Sequence, residues 1–352
     1  MNGTRGKSSV TRLIAAGLRS GGIKTFAKTT GSSPRFIGYK GNDHIIQRFT
    51  SASIGEQIRM IRKFSKKKPN AIVLECMAVQ PQYQWVSEHK IVQSNYSVIT
   101  NVKADHLEEM GYSLDHIAKS LSNTIPSNQQ FFTSETKCLE PFIAKTSSSN
   151  TTLNICLGKN LEEKYLENFS YIEHPDNIAL ALDVCESIGV SKEIAIKGMR
   201  TANSDPGALK IIKIKINDLT IDFVNAFAAN DPQSTKTTIE LIESLYKKNK
   251  KIVLFLNTRH DRKVRTQQLL DFIFNELNPN HLLIRGDNLE SDIKNRCENI
   301  KKLSFTLIRE KEEMDSVLNS LVEFENALVI GIGNIVGWGE NFIDYLKEYQ
   351  DD

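Results

Sequence analysis

The chain shows a helical pattern of apolar residues almost from its start. Apolar or small residues recur at the i, i+3, i+4, i+7 and i+8 spacing of a helix that lies on a sheet: Val10, Leu13, Ile14, Gly17 and Leu18. Gly21 and Gly22 predict the end of this helix. The apolar run that follows predicts a strand, so the chain is expected to open with a loop, a helix and a strand.

Helical stripes and short apolar runs alternate along the rest of the chain. Strands are predicted at 23–27, 70–75, 97–100, 209–216, 221–224, 252–257, 281–285 and 327–332. Helices are predicted at 54–65 and 178–188, and a surface loop at 147–152. This alternation predicts an α/β fold with parallel sheets in both halves.

A cluster of chain-breaking residues at 203–207 predicts a domain boundary. A chain of 352 residues is long enough for two domains of ordinary size. We therefore expect one domain at 1–204 and a second at 205–352.

Composition narrows the classes of function. The net charge of +3 is too small to predict a nucleic-acid partner, and five dispersed cysteines are typical of reduced thiols. Every apolar run is too short to span a bilayer, and the polar first residues do not resemble a signal peptide. The sequence predicts a cytosolic protein and leaves docking on a membrane partner open.

Residues 3–8, directly before the first helix, are a candidate phosphate loop. Such a loop needs glycines that let backbone N–H groups close around phosphate, a lysine for the terminal phosphates and a hydroxyl for Mg²⁺. The sequence Gly-Thr-Arg-Gly-Lys-Ser supplies all of them. The first glycine of the full pattern is replaced by Met1, so an ordinary glycine turn remains an alternative.

A phosphate loop normally follows a strand, and this one follows only two residues. Met1 and Asn2 are too few to form that strand. The sequence therefore predicts that the first strand has been lost or is supplied in another way, as in a truncated or alternatively started chain.

Acidic residues follow two of the predicted strands. Glu75 ends the strand at 70–75, where an acid can complete a Mg²⁺ site. Asp105 and His106 follow the strand at 97–100 and could bind metal or orient a base. A surface glutamate and a histidine that caps a helix are the alternatives.

Taken in order, these segments resemble the Mur ligase superfamily and, within it, the ligase subunits of poly-γ-glutamate synthases (CapB/PgsB). The resemblance covers nearly the whole chain and is carried by GTRGKS (3–8), KTTG (28–31), IGEQ (54–57), ECMAVQP (75–81), TNVKADH (100–106), PDN (175–177), DPGA (205–208), FAAND (227–231), DR (261–262), RTQQ (265–268) and GIGNI (331–335). It implies a P-loop ATPase domain with a parallel sheet, followed by a smaller Rossmann-like α/β domain.

The resemblance also implies roles for individual residues. Lys7 would bind the β- and γ-phosphates of ATP, and Ser8 and Glu75 would hold Mg²⁺. His106 matches a ligand of a second metal, and Asn177 matches a residue that contacts adenine. The implied catalytic residues are Lys7, Glu75 and His106, and the implied metal ligands are Ser8, Glu75 and His106. The implied nucleotide-binding residues are Gly3, Thr4, Arg5, Gly6, Lys7, Ser8, Ser9, Asn177, Asn230, Asp261 and Arg262.

The implied activity is that of an ATP-dependent amide ligase. It would activate a glutamate γ-carboxylate as an acyl phosphate and join it to the amine of another glutamate, with closure about a hinge near 205–208. A ligase similar to folylpolyglutamate synthase and a non-catalytic ATP-binding subunit of a membrane complex remain alternatives.

The implied partners are glutamate, a poly-γ-glutamate chain and small membrane subunits, without nucleic acid. A homo-oligomer is left open. The expected location is the inner face of the cytoplasmic membrane, reached through an absent N-terminal anchor or through the partner subunits. Exposed basic residues would suit the anionic polymer, and the candidates are Arg5, Lys28, Arg35 and Arg259.

Overall fold

The computed structural model describes residues 1–31, 34–48, 53–169, 171–204, 209–216, 219–245, 251–277, 279–297 and 304–351. The chain forms two compact units, Met1–Asp205 and Pro206–Asp352, called unit 1 and unit 2 below. The predicted hinge at 205–208 lies outside the described residues.

Unit 1 alternates strands and helices. Its strands are β1 (Thr25–Thr29), β2 (Arg35–Ile37), β3 (Asp43–Ile45), β4 (Ala71–Leu74), β5 (Tyr96–Ile99), β6 (Gln130–Thr133) and β7 (Thr152–Ile155). Its helices are α1 (Lys7–Ser20), α2 (Gly55–Ser65), α3 (Pro81–Val86), α4 (Leu107–Met110), α5 (Leu114–Leu121), α6 (Glu140–Ser149), α7 (Pro175–Ser187) and α8 (Lys192–Arg200). A π-helix, Ser87–Val92, follows α3 directly.

The first two residues lie between the two sheets of unit 1. One sheet has the order β3-β2-β1-β4 and the other has the order β5-β6-β7. The amino group of Met1 donates to the Leu74 carbonyl of β4 at 3.0 Å, and the Asn2 amide donates to the Val98 carbonyl of β5 at 2.7 Å. Met1 and Asn2 therefore take the position where a strand before the phosphate loop was expected, and they deliver the loop to the carboxyl ends of β4 and β5.

The predicted first helix is confirmed as α1, which begins at Lys7. Its stripe of Val10, Leu13, Ile14 and Leu18 is buried and packs against α7 and α8. Burying each large apolar side chain contributes about 1.5–3 kcal/mol, which holds the start of the helix in one place. The core of unit 1 thus fixes the end of the loop at residues 3–8.

One prediction for this unit is wrong. The loop predicted at 147–152 is instead the end of α6, a turn at Asn150 with φ 50°, and the start of β7. The serine hydroxyls of α6 donate to carbonyls of the preceding turn, so a stretch poor in apolar residues remains helical. The predicted α/β fold is confirmed: β1 pairs with β4, and β5, β6 and β7 pair with one another, in parallel, while β1, β2 and β3 add antiparallel pairs.

Unit 2 is built on one six-stranded sheet with the order β12-β11-β10-β13-β9-β8. Its strands are β8 (Lys210–Ile216), β9 (Leu219–Asn225), β10 (Ile252–Asn257), β11 (His281–Arg285), β12 (Ser304–Ile308) and β13 (Leu328–Gly333). Its helices are α9 (Pro232–Leu245), α10 (Lys263–Glu276), α11 (Glu290–Cys297), α12 (Met314–Val322) and α13 (Trp338–Leu346). Every neighbouring pair is parallel except β8 and β9.

The strand order of unit 2 reverses between β10 and β13. The chain moves outward from β10 to β11 and β12 and then returns to β13 on the other side of β10. Ligands of open α/β sheets bind outside the carboxyl ends of the strands at such a reversal. None of the described helices, in either unit, is both long and apolar enough to cross a bilayer.

Candidate active site

Two positions of the predicted phosphate loop require glycine. Gly3 has φ +121° and Gly6 has φ +81°, a region that residues with a Cβ rarely adopt. A Cβ on Gly3 would lie 2.1 Å from the Thr100 hydroxyl, and one on Gly6 would lie 2.6 Å from the Asn177 side-chain oxygen. Gly6 directly precedes α1, so the loop ends at a helix N-terminus, where backbone N–H groups favour an anion.

Hydrogen bonds tie the loop to the end of β5. The Thr4 hydroxyl and the Arg5 amide donate to the side-chain oxygen of Asn101 at 2.8 and 3.1 Å. The Thr100 hydroxyl donates to the Arg5 carbonyl at 2.6 Å. The Arg5 side chain lies 3.7 Å from the Asp105 carboxylate. The loop is therefore held by side chains as well as by its own backbone.

Lys7 and Ser8 make different contacts: Lys7 bonds to the loop itself, and Ser8 bonds to an acid outside it. The Lys7 ammonium donates to the carbonyls of Gly3 and Thr4 at 2.7 and 3.2 Å, and so stays folded over the loop. The Ser8 hydroxyl donates to the Glu75 carboxylate at 2.8 Å. Glu75 is buried, which removes the alternative of a surface glutamate.

Three of the sequence segments meet at Glu75. The Thr30 amide donates to its carboxylate at 2.8 Å, and the Gln57 side chain donates to its carbonyl at 3.0 Å. Thr30 belongs to the KTTG segment and Gln57 to the IGEQ segment. Both segments therefore position the acid that contacts Ser8.

Behind Glu75 lies a buried chain of charges. The Lys28 ammonium lies 2.9 Å from Glu56, and the Arg48 guanidinium donates to the same carboxylate at 2.7 and 3.0 Å. Burial acts to raise the pKa of Glu56, but hydrogen bonds from Arg48 and Lys28 outweigh it and lower that pKa to about 2. The prediction that Lys28 is an exposed contact for a polymer is wrong, because its side chain is fully buried.

Among the described residues, His106 forms no hydrogen bond or ion pair with Ser8 or Glu75. It has φ 48° at the start of α4, and its ring nitrogens lie 4.0 Å from Asp105 and 3.7 Å from Glu109. Across the described residues, no group of three or more histidine, cysteine or acidic side chains is gathered as a metal site. Of the three predicted metal ligands, Ser8 and Glu75 are in direct contact.

Asn177 and Ser9 lie beside the loop near Glu173. The Asn177 side-chain amide donates to Glu173 at 2.7 Å, and the His174 amide donates to the same oxygen at 3.0 Å. Burial raises the pKa of Glu173, and hydrogen bonds from groups that include Asn177 and Ser9 act against this rise. The carboxylate therefore fixes the orientation of the Asn177 amide against Gly6.

The remaining predicted nucleotide contacts belong to unit 2. Asn230 follows β9, and Asp261 and Arg262 follow β10, so all three lie at the carboxyl edge of the sheet. Asp261 accepts two hydrogen bonds from Arg259, at 2.9 and 2.7 Å, and lies 3.8 Å from Arg262. This edge carries basic side chains next to the strand ends.

Sequence reasoning gave no role to Gln57, Glu56 or Arg285. Gln57 and Glu56 lie within the quoted IGEQ segment, but nothing local indicates that they reach residues 75 and 28. Arg285 ends a buried strand. A polar residue at such a position was the signal that singled out Glu75, so the same signal was available for Arg285.

Comparison with known protein families identifies the class of protein to which this fold and this phosphate loop belong. Residues 2–203 match the Mur ligase middle domain, and the chain belongs to the Mur ligases. Residues 211–349 match the C-terminal domain of poly-γ-glutamate synthase CapB. Within the Mur ligases the chain belongs to the CapB family.

Individual relatives agree with this assignment. The chain is 34% identical over 353 residues to PGA synthase CapB of Bacillus subtilis strain 168, covering 99% of this chain and 90% of that protein. It is 34% identical over 354 residues to the capsule biosynthesis protein CapB of Bacillus anthracis, covering 99% of this chain and 76% of that one.

A solved structure shares the fold at low identity. It is the bifunctional folylpolyglutamate synthase/dihydrofolate synthase of Yersinia pestis in complex with AMPPNP and Mn ion. The TM-score is 0.67 at 13% identity, over 97% of this chain and 86% of that one. At this identity the likeness establishes the fold alone.

Proposed function

We propose that the protein is an ATP-dependent amide ligase that builds poly-γ-glutamate. Membership of the CapB family supports this substrate class. The observation that carries the proposal is the contact of the Ser8 hydroxyl with the buried Glu75 carboxylate, at 2.8 Å, at the end of a glycine loop that holds Lys7. This arrangement suits the binding of a nucleoside triphosphate with a divalent cation.

The proposed reaction has two steps. A glutamate γ-carboxylate oxygen attacks the γ-phosphorus of ATP, which gives an acyl phosphate and releases ADP. The amine of another glutamate then attacks the acyl carbon, phosphate leaves, and the nitrogen loses a proton to give the amide. In the first step Lys7 offsets charge on the transferred phosphoryl group, and the loop amides position it.

Ser8 and Glu75 fit a Mg²⁺ ion that accompanies ATP. A hydroxyl and a carboxylate are hard oxygen ligands, and Mg²⁺ in such sites needs only one or two protein ligands besides phosphates and water. When bound, the ion neutralises phosphate charge. Thr30 and Gln57 hold Glu75 in place for it. We retain His106 as the proposed ligand of a second ion, supported by the resemblance alone.

The nucleotide-binding residues implied by the resemblance are retained as proposals within each domain, 1–204 and 205–352. Asn177 is assigned to the adenine, and Gly3, Thr4, Arg5, Gly6 and Ser9 to the phosphate end. Asn230, Asp261 and Arg262 are assigned to nucleotide contacts from the second domain.

Glutamate-dependent release of ADP by the purified chain tests the proposal. We expect release to require ATP, Mg²⁺ and glutamate, with γ-linked products detected by mass spectrometry. Release that requires a folate instead would indicate a folylpolyglutamate synthase. Tight ATP binding without turnover, even with membranes added, would indicate a non-catalytic subunit and would overturn the ligase assignment.

The proposed setting is the inner face of the cytoplasmic membrane, with small membrane subunits as partners. The capsule biosynthesis role named for the relative from Bacillus anthracis supports this setting. Co-sedimentation of the chain with membranes from cells that carry the whole synthase tests it. Equal recovery with membranes that lack the other subunits would contradict a partner-dependent location.

A further inference from the structure

Three cationic side chains are buried in the described residues, and they differ in their partners. Arg12 is 2% exposed and lies 2.7 Å from the Asp43 carboxylate. Lys28 is 0% exposed and lies 2.9 Å from Glu56. Arg285 is 6% exposed, and no carboxylate in the described part of the chain forms an ion pair with it. Buried charges are usually paired, so the third one requires an explanation.

Neutral groups surround the Arg285 guanidinium. One terminal nitrogen donates to the Asn257 side-chain oxygen at 3.2 Å, and the other donates to the Glu310 carbonyl. The guanidinium carbon lies 4.1 Å from the centre of the Trp338 ring. The buried Nε atom has no acceptor among the described residues. Because a guanidinium carries five N–H donors, three have no acceptor among the described residues.

The nearby acids act on Arg285 only at longer range. Burial lowers the pKa of Arg285, and the charges of Glu310 and Asp287 act in the opposite direction. The Glu310 side chain lies 3.9 Å from His260. The positive charge of Arg285 is therefore only partly compensated within unit 2.

Arg285 lies where the sheet of unit 2 favours a ligand. It ends β11, beside the reversal of strand order between β10 and β13. A glycine turn follows β13, with φ +104° at Gly333 and +80° at Gly337, and leads into the nine-residue helix α13 at Trp338. Asn257 donates to the Asn334 carbonyl of this turn at 2.6 Å, which links the turn to Arg285.

We propose that Arg285 and the turn at 333–338, together called the Arg285 crevice, bind a carboxylate of the glutamate substrate. A planar carboxylate matches a guanidinium fork, and the N-terminus of α13 adds favourable N–H groups. A γ-linked chain keeps one free α-carboxylate on every unit, so free glutamate and the chain offer the same group. This inference rests on the proposed function, because that function supplies the ligand.

The two tryptophans of the chain allow binding to be read without turnover. Trp338 forms part of the crevice, whereas Trp85 lies in unit 1, so Trp85→Phe leaves a single reporter at the site. We titrate Trp85→Phe without ATP, using free glutamate, a γ-glutamyl oligomer, and acetate at matched ionic strength. We expect a saturable fluorescence change with glutamate or the oligomer, at concentrations about tenfold below any change with acetate. The more effective ligand identifies the source of the carboxylate.

Arg296 provides a matched control in the same unit. It is an arginine with carboxylate partners, Asp271 at 2.7 Å and Asp292 at 2.9 Å. In the Trp85→Phe background, Arg285→Gln should abolish the fluorescence change, whereas Arg296→Gln should retain it. If Arg285→Gln does not fold, the titration of Trp85→Phe alone still tests whether the Arg285 crevice binds a carboxylate. A flat response, or one equal to that of acetate, overturns the proposal.

Kinetics separate this inference from the proposed function. Arg285→Gln should raise the KM for glutamate about tenfold or more while the KM for ATP stays unchanged. A wild-type chain that turns over, combined with an unchanged glutamate KM in Arg285→Gln, would overturn the crevice alone. Saturable glutamate binding by Trp85→Phe, in a chain that releases no ADP, would support the crevice and contradict the ligase.

Discussion

The two units treat buried positive charge differently. In unit 1, Arg12 and Lys28 each meet a carboxylate of the same unit within 3 Å. In unit 2, Arg285 is held by an amide oxygen, a carbonyl and an aromatic ring, without an ion pair among the described residues. Lys28 and Arg285 lie at or near the carboxyl ends of β1 and β11, and each of these strands has a parallel neighbour.

This difference in ion pairing distinguishes buried charges that stabilise a site from a buried charge that can bind a ligand. Lys28 and Glu56 neutralise each other, so their contribution is to hold the strands beside Glu75 before any nucleotide arrives. Such preorganisation removes the cost of rearranging dipoles during the reaction. Arg285 has no such internal partner, and an anionic ligand would complete its charge balance.

The largest expected effect comes from the phosphate loop of unit 1. Lys7→Ala should reduce ADP release about 1000-fold, because it removes the only cation folded over the loop in the described contacts. Circular dichroism and the melting temperature should stay close to those of the wild type. Lys24→Ala, at a half-buried lysine beyond α1 whose ammonium donates to the Lys67 carbonyl, is the control and should retain turnover. Unchanged turnover in Lys7→Ala would remove the loop from the mechanism.

Stability measurements test the contrast between the two units directly. Glu56→Gln leaves the buried Lys28 without a carboxylate and should lower the free energy of unfolding by about 3 kcal/mol. Arg285→Gln deprives no carboxylate of an ion pair, so it should change that free energy by less than about 1 kcal/mol. Urea titrations in single-tryptophan backgrounds, Trp338→Phe for unit 1 and Trp85→Phe for unit 2, measure both. Equal losses for the two variants would contradict the contrast.

Acid should remove the contribution of Glu56 within a defined range. Its pKa is lowered from 4.5 to about 2 in the folded chain. The stabilisation is therefore complete above about pH 4.5 and is lost as the pH falls toward 2. The difference in unfolding free energy between wild type and Glu56→Gln should shrink over this range in urea titrations at successive pH values. A difference that stays constant from pH 6 to pH 3 would contradict the assignment.

Features set by local sequence were predictable. The first helix depended on a regular apolar stripe and the loop on closely spaced glycines, and both lie where they were expected. Glu75 could be singled out because it ends a buried strand. The resemblance extended this to residues such as Asn177, which lies against Gly6 in the structure.

Features set by distant contacts were not predictable from the pattern. The pattern predicts an exposed lysine at position 28, because its partner Glu56 lies in α2, beyond β2 and β3 in the sequence. The pattern predicts a loop at the end of α6, because serine hydroxyls bonded to backbone carbonyls, and not apolar residues, support this turn of the helix. The missing partner of Arg285 becomes apparent only when its surroundings are assembled in three dimensions.

The smallest expected effect concerns an acid of unit 1 that no cation pairs with in the described residues. Glu173 accepts hydrogen bonds from the Asn177 side chain and the His174 amide. A carboxylate can only accept hydrogen bonds, so it binds the Asn177 side-chain NH₂ group and keeps the Asn177 side-chain oxygen turned toward Gly6. The glutamine side chain of Glu173→Gln can present either a donor or an acceptor, so it would not fix this orientation. Losing one fixed hydrogen bond is worth about 1 kcal/mol, so Glu173→Gln should raise the KM for ATP about fivefold at unchanged kcat. Glu186→Gln, at the exposed end of α7, should leave both constants unchanged. A higher KM for ATP in Glu173→Gln would show that a buried charge without an ion pair also supports ligand binding in unit 1. Equal KM values in Glu173→Gln and Glu186→Gln would limit this relation to Arg285.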